Sequence, residues 1–187
     1  LSSGTLIREI NHHLFNNLHS LEASGCGFIT SSSGIDCIVE FTQQGEMVWL
    51  WNAADHGFAV NPLNITRDLD LSIDQSQLLY PTLHQSTHVN SALPYGDNKV
   101  FATLFHQGTL VSIDKKSGEI DVIISGLKCP HNIRSFGEAW LLPDSGNNRV
   151  LLISPDLSHV IKTWELTQCD WIQDVCQYDD YSFLVAD

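Results

Sequence analysis

The stretch from Cys129 to Ile153, CPHNIRSFGEAWLLPDSGNNRVLLI, sets a histidine behind a proline, then an apolar strand, then a turn of Asp, Ser, Gly and Asn, then a second apolar strand. The same order recurs along the chain. From His19, the pair Phe28-Ile29 stands at the matching offset, and GIDCIVEF follows from Gly34. From His88, Val100-Phe101 arrive slightly later, after the loop PYGDN, and QGTLVSID follows. From Gln173, Phe183-Leu184 fall at the same offset. A third strand closes each full unit: EMVWLW, EIDVII and HVIKTW. The turns TQQGE and KKSGE ahead of two of these strands carry hairpin chemistry, with a glycine free to adopt positive φ.

His88 to His131 and His131 to Gln173 are each separated by about 42 residues, the length of one propeller blade. Short strands, that period and turns rich in Gly, Asn and Asp define an all-β chain, a β-propeller of antiparallel blades. A β-sandwich also has short strands, but nothing in it makes one offset pattern recur three times. At one blade per repeat, 187 residues correspond to about four to five blades. His19 and His88 lie further apart than one repeat, so residues 52–87 read as an insertion, and the count falls to three full blades plus parts. The expectation is a single, incomplete propeller domain over residues 1–187, a fragment of a larger propeller.

Composition bounds the partners. A hydrophobic content of 43% suits one buried core. A formal net charge of −13 argues against nucleic acid or an anionic membrane surface, which both require a basic face. No stretch approaches the roughly 18 apolar residues of a membrane span. The chain starts at Leu1, so a processed or truncated start can hide a signal peptide. The five cysteines are odd in number and lack CxxC spacing, which reads as free, buried thiols and favours a reducing, cytoplasmic setting over a disulfide framework or thiolate zinc site. The localisation is otherwise open.

Equivalent repeat positions in a propeller form a ring around the axis. His19, His88 and His131 are expected there, with Gln173 continuing the series, and His106 just past its strand at the same rim. These define the candidate site: His131, His88 and His19 as catalytic groups, and His106, Asn90, Asn132 and Gln173 as substrate contacts. His12, His13, His56, His84 and His159 have no repeat support. Asp144 and Asp187 end strands and read as turn caps. Trp49, Trp51, Trp140 and Trp164 lie in strands and are expected to pack between blades. A neutral imidazole is a good nucleophile near pH 7, and protonated imidazoles beside it would stabilise charge on a transferring group. No metal or cofactor is required for that chemistry. The alternative is Zn or Fe held by His19, His88 and His131, since three imidazoles with an open position suit a catalytic metal of lyase or oxygenase type. A third reading is a non-catalytic propeller whose rim binds a ligand or protein. Asn64 in NIT matches a glycosylation acceptor pattern, and residues 52–87 are placed to cover the channel mouth.

Three segments carry a family resemblance. DCIVEFTQQGEMVWLWNAADHGF is similar to the segment of bacterial arylsulfotransferases in which a strand leads into G-x-V-V-W-x-W and a D-H turn. THVNSALPYGDNKVFATLFHQGTLVSIDKKSGEI resembles that family's H-x-N-S stretch running to I-D-x-x-T-G-E-I. PHNIRSFGEAWLLPDSGNNRVLLI resembles its next blade, and also the general NHL-type propeller repeat. The resemblance covers most of residues 12–187 and implies a six-bladed propeller that moves a sulfuryl group between phenols through a transiently sulfated central-channel histidine. Carried over by position, His131 is the nucleophile, with His19 and His88 beside it. The implied substrate is a small aromatic or anionic molecule, and the implied compartment is the periplasm. Two positions depart from the pattern. Phe105 stands where the family has the arginine of S-x-R-H, and Asn132 stands where it has the aspartate after the histidine.

Overall fold

The computed structural model describes residues 4–187. Three four-stranded antiparallel sheets follow one another along the chain. The first contains Leu18–Ala23 (β1), Gly27–Ser32 (β2), Cys37–Thr42 (β3) and Met47–Asn52 (β4). The second contains Val89–Tyr95 (β5), Lys99–Leu104 (β6), Thr109–Asp114 (β7) and Ile120–Ile124 (β8). The third contains Arg134–Phe136 (β9), Ala139–Asp144 (β10), Arg149–Ile153 (β11) and Val160–Glu165 (β12). A two-stranded sheet, Asp174–Gln177 (β13) with Phe183–Ala186 (β14), follows. Within each sheet the strands are ordered as in sequence, and the first strands meet across sheets, β1 against β5 and β9 against β13. That is the blade arrangement of a β-propeller, with the first strand of each blade innermost.

The blades are held together by apolar side chains from neighbouring sheets. One cluster joins Ile29, Ile38 and Trp51 to Val89, Val100, Val111 and Ile113, across blades one and two. A second joins Phe101 and Leu110 to Ile133, Leu142 and Ile153, across blades two and three. A third joins Leu141 and Val150 to Ile172 and Val175. The strand tryptophans sit at these seams. Trp51 is buried in the first cluster, Trp49 donates its indole N–H to Lys115 O of the next blade at 3.1 Å, Trp140 packs on the second, and Trp164 meets Phe183 with ring centroids 4.9 Å apart. All five cysteines are free, but only Cys37 is buried. Cys26 and Cys176 are exposed: Cys26 lies in the turn between β1 and β2, and Cys176 lies on β13 of the two-stranded sheet.

The repeat is written most sharply in the backbone. The turn after the second strand puts one residue in the left-handed region in each blade: Asp36 (φ 55°), Gly108 (φ 61°) and Asn148 (φ 49°). The chain ahead of each innermost strand does the same at Asn17 (φ 51°), His88 (φ 46°) and Cys129 (φ 53°). The two sites are tied by matching hydrogen bonds: Gly34 N to Asn16 O, His106 N to Thr87 O and Gly146 N to Lys128 O. These bonds place Asn17, His88 and Cys129 at one repeat position, and His19, Asn90 and His131 at the next ring position, two residues on. His88 is therefore not the repeat equivalent of His19 and His131, as the offset alignment required; Asn90 is. The longer connection before His88 absorbs the two-residue shift.

Between β4 and β5 the chain runs without a strand, through short 3-10 turns at Ala53–His56 and Thr82–His84. It is pinned to blade one by Asp36. That carboxylate accepts hydrogen bonds from Ser86 N, Thr87 N, Thr87 Oγ1 and His88 N, each at 2.8 Å, and forms an ion pair with Arg67. Three successive amides converging on one carboxylate form an anion nest, which holds His88 in its left-handed conformation.

Candidate active site

Six rings from three blades and the start of a fourth meet at one end of the innermost strands. His19 and His88 have centroids 4.6 Å apart, and His88 lies 4.9 Å from Phe105 and 6.1 Å from His106. Phe105 continues the chain of contacts to His131 at 6.0 Å and Trp171 at 6.2 Å, and His131 and Trp171 are 5.5 Å apart, edge to face. The sequence placed His19, His88, His106 and His131 at this rim, and their rings meet there. Gln173 occupies the ring position of His131 in the fourth blade, through Gln173 N to Ala186 O as His131 N to Pro143 O, but its side chain is exposed. Trp171 is two residues ahead of it, at the position of His88 and Cys129. Only the corrected repeat register marks Trp171 as a rim residue.

Phe105 has a structural reason to face the rim. Its repeat equivalents are Ser33 and Ser145, whose hydroxyls donate to the next blade, at Val89 O and Ile172 O. Blade two has a phenyl ring there in place of that polar link, and the ring turns to His88 and His131.

The tautomers of two imidazoles follow from their partners. Nδ1 of His131 lies 3.1 Å from Cys129 O and 2.7 Å from Ser145 Oγ. The carbonyl can only accept, and the Ser145 proton is committed to Ile172 O, so Nδ1 carries the hydrogen. The lone pair of His131 is on Nε2, which has no hydrogen-bond partner among the described residues. Nδ1 of His88 meets Gln85 Oε1, while Gln85 Nε2 donates to Tyr80 O at 2.7 Å. His88 therefore also carries its hydrogen on Nδ1 and its lone pair on Nε2. Nε2 of His106 donates to Thr82 O at 2.9 Å.

Burial favours the neutral form of His88, His131 and His19. Desolvation, reinforced by the neighbouring His19 and His106, pushes the His88 pKa down to about 3. Desolvation pushes His131 down to about 4, against the opposing pull of the Cys129 carbonyl. Desolvation also lowers His19, offset in part by the Asn90 carboxamide. The expectation of protonated neighbours supplying positive charge is corrected on this point: the rings shield one another from water, and crowding like-charged groups favours the neutral form.

Asn90 and Asn132 link successive blades. Asn90 Nδ2 donates to Pro130 O at 2.9 Å, and Asn132 Nδ2 to Asp174 Oδ2 at 3.2 Å. The Asn132 amide oxygen is buried without a hydrogen-bond partner among the described residues, whereas the Asn90 carboxamide faces the His19 ring. Further along the wall, Arg134 makes a two-pronged contact with Asp174, Nε to Oδ1 at 3.1 Å and Nη2 to Oδ2 at 2.7 Å, and reaches across to Glu22 on β1. Its pKa is raised by those two carboxylates, Asp174 first. Its charge is thus already matched, and Glu22 and Asp174 serve Arg134 rather than the histidines. Among the described residues no three His, Cys, Asp or Glu side chains are arranged as ligands of one ion, and the Phe105 ring lies between His88 and His131. No helix among the described residues is long and apolar enough to cross a membrane.

No protein-family model and no curated protein matches the sequence. Solved structures do. Virginiamycin B lyase from Staphylococcus aureus superposes with a TM-score of 0.59 at 13% identity, over 94% of this chain and 50% of that one. A streptogramin B lyase gives 0.58 at 12% identity, over 90% of this chain and 47% of that one. The WD40 propeller domain of Doa1 gives 0.60 at 11% identity, over 90% and 47%. The chain spans about half the length of these neighbours, and at such low identity the likeness establishes the fold alone: a partial β-propeller.

Proposed function

We propose that the rim is an active site for group transfer from an aromatic ester, with His131 Nε2 as the nucleophile. One observation carries this reading. Ser145 and Cys129 fix the Nδ1–H tautomer of a neutral imidazole and leave its Nε2 lone pair unpartnered beside two aromatic faces, Phe105 and Trp171. In the first step Nε2 bonds to the electrophilic centre of the ester, the bond to the phenolic oxygen breaks, and the phenolate leaves with the electron pair. In the second step an acceptor oxygen takes the group and imidazole leaves. A depressed pKa weakens the nucleophile somewhat but makes imidazole a better leaving group in that second step. His88, with the same tautomer, would accept the proton of the acceptor hydroxyl. The aromatic rings would hold the substrate by stacking.

Sulfuryl transfer is the narrower form of this reading, supported by the resemblance of the HVNS and SIDKKSGEI segments. It requires a cation for the sulfate oxygens. Arg134 is committed to two carboxylates and Phe105 offers no charge, so a neutral acyl group fits the rim better than an anionic sulfate. The test is to incubate the full chain with an aryl acetate and an aryl sulfate, following phenol release by absorbance and the chain by intact mass. The expected outcome is phenol release from the acetate with a transient acyl adduct, both lost in His131→Ala and retained in His159→Ala. A sulfuryl adduct instead would establish the narrower form. Release that is indifferent to His131→Ala, or absent from every donor, would overturn the proposal.

A further inference from the structure

Resting on the reading of His88 as the group that accepts a proton at the rim, we propose that residues 69–88 form a conformational device. While residues 69–80 are docked as a cap on blade one, Tyr80 O locks the Gln85 carboxamide, and Gln85 keeps the His88 lone pair on Nε2.

One face of blade one is covered by irregular chain instead of a sheet. Successive residues of a strand point to opposite faces, and on β3 Ile38 packs with Ile29 and Trp51 against blade two, while Cys37 and Val39 fall on the other side. There they form a buried cluster with Ile35 and Phe41. Its cover is Leu14, Ile10 and Phe15, from the chain ahead of β1, with Leu69, Leu71 and Tyr80, from the connection between β4 and β5. Bare, that face would be a contiguous apolar patch, which folded domains rarely expose. The two covering stretches are knotted together. Gln75, 1% exposed, donates its amide N–H to His13 O at 2.8 Å and accepts the Tyr80 hydroxyl at 2.7 Å. Asn16 Nδ2 donates to Gln75 O and Leu78 O. The cap is therefore one built unit.

Its end reaches the histidine site. The Tyr80 ring belongs to the capped cluster, and the Tyr80 carbonyl accepts from Gln85 Nε2 at 2.7 Å. Gln85 is 0% exposed, and its Oε1 meets His88 Nδ1. A carbonyl can only accept, so Tyr80 O decides which end of the Gln85 amide faces His88, and that end decides the tautomer. With the cap lifted, Tyr80 O moves away and the amide is free to turn over. It then presents an N–H to Nδ1, and the imidazole proton relocates through water from Nδ1 to Nε2. One N–H bond breaks, one forms, and the charge is unchanged. Nε2, which accepted, now donates. The His88 backbone is held in both states, because Asp36 receives the amides of Ser86, Thr87 and His88. Asp36 thus sets where His88 is, and the cap sets which nitrogen carries the lone pair. His131 stands outside this chain of contacts, fixed by Cys129 O and Ser145 Oγ.

The chain carries its own reporter of the cap. Cys37 is 0% exposed within the capped cluster, and burial pushes its thiol pKa up, so it reacts only when uncovered. The experiment uses the full chain with Cys26, Cys129, Cys169 and Cys176 replaced by serine. It measures Cys37 labelling by an aromatic disulfide reagent, together with the imidazole nitrogen shifts of His88 and His131, which distinguish the two tautomers. Neither readout depends on turnover, so the result stands apart from whether the rim is catalytic. His88 should show the Nδ1–H pattern in this parent. Leu71→Ser, in the cap, should raise the Cys37 labelling rate about ten-fold or more and move His88 toward the Nε2–H pattern, with His131 unchanged. Leu71→Ala, the milder change, should move both in the same direction. Gln85→Ala should release the His88 tautomer and leave Cys37 labelling unchanged. An Nε2–H pattern in the parent overturns the proposal. So does a cap variant that labels Cys37 faster but leaves His88 unmoved, or Cys37 labelling that neither cap variant accelerates.

Discussion

Replacing Asp36 with asparagine should be among the most costly single changes in this chain, and it should also displace a histidine of the site. The carboxylate is 2% exposed and receives five groups: the Arg67 guanidinium, three backbone amides and the Thr87 hydroxyl. Asparagine keeps the shape but loses the charge, and one of its two termini is a donor. At least one amide then faces an N–H, and Arg67, itself stacked 4.7 Å over the Tyr80 ring, is left without its counter-charge. Removing one partner of a buried ion pair costs about 3–5 kcal/mol, a large part of the 5–15 kcal/mol that a domain holds in total. With a urea m-value of roughly 2 kcal/mol/M, the midpoint should fall by about 1.5–2.5 M. Arg67→Met in the Asp36→Asn background should recover part of that loss, because the unpaired cation is then gone. The His88 imidazole shifts should move in Asp36→Asn while those of His131 hold. A midpoint change under about 0.5 M, or a double variant as costly as the two single changes summed, would refute the assignment of Asp36 as the anchor of the 53–88 segment.

Two further outcomes follow from the same structure. His88 and His131 have pKa values lowered in the fold, so between those values and the unfolded value of 6.5 the unfolded chain binds more protons; their contribution is full above pH 6.5 and is lost as pH falls toward about 3 to 4, at up to about 1.4 kcal/mol per pH unit for each. Urea midpoints measured from pH 7 to pH 5 should fall steadily, and the slope should flatten in a His88→Gln/His131→Gln double variant; an unchanged slope would place the titration elsewhere. Trp51→Ala, at a side chain 1% exposed, should cost about 3–5 kcal/mol, whereas Trp51→Phe should cost much less because the indole N–H has no partner to lose; equal costs in thermal unfolding would refute that account.

The fold was legible because propeller blades are local. Each hairpin is closed by residues a few positions apart, so strand, turn and strand appear in order in the sequence, and Gly45 and Gly118 mark two of the turns directly. The site was legible only in part. Repeat arithmetic assumes connections of equal length, and the 53–88 segment breaks that assumption, which moved His88 two positions from the place the offset gave it. It still reaches His19, because Asp36 pulls its backbone into the left-handed region and swings the ring inward from the neighbouring position. Trp171 was hidden for the opposite reason: its blade carries no histidine, so only the backbone hydrogen bond that matches Gln173 to His131 identifies the position two residues ahead. The charge state of the rim was beyond sequence altogether. Histidines recurring along the repeats look like a reserve of positive charge until they are found buried: His19 and His88 shield one another, and Phe105 and Trp171 take the place of water around His131. The same packing that gathers these rings at one rim therefore lowers the pKa values of His88 and His131, a consequence of burial that residue type alone does not carry.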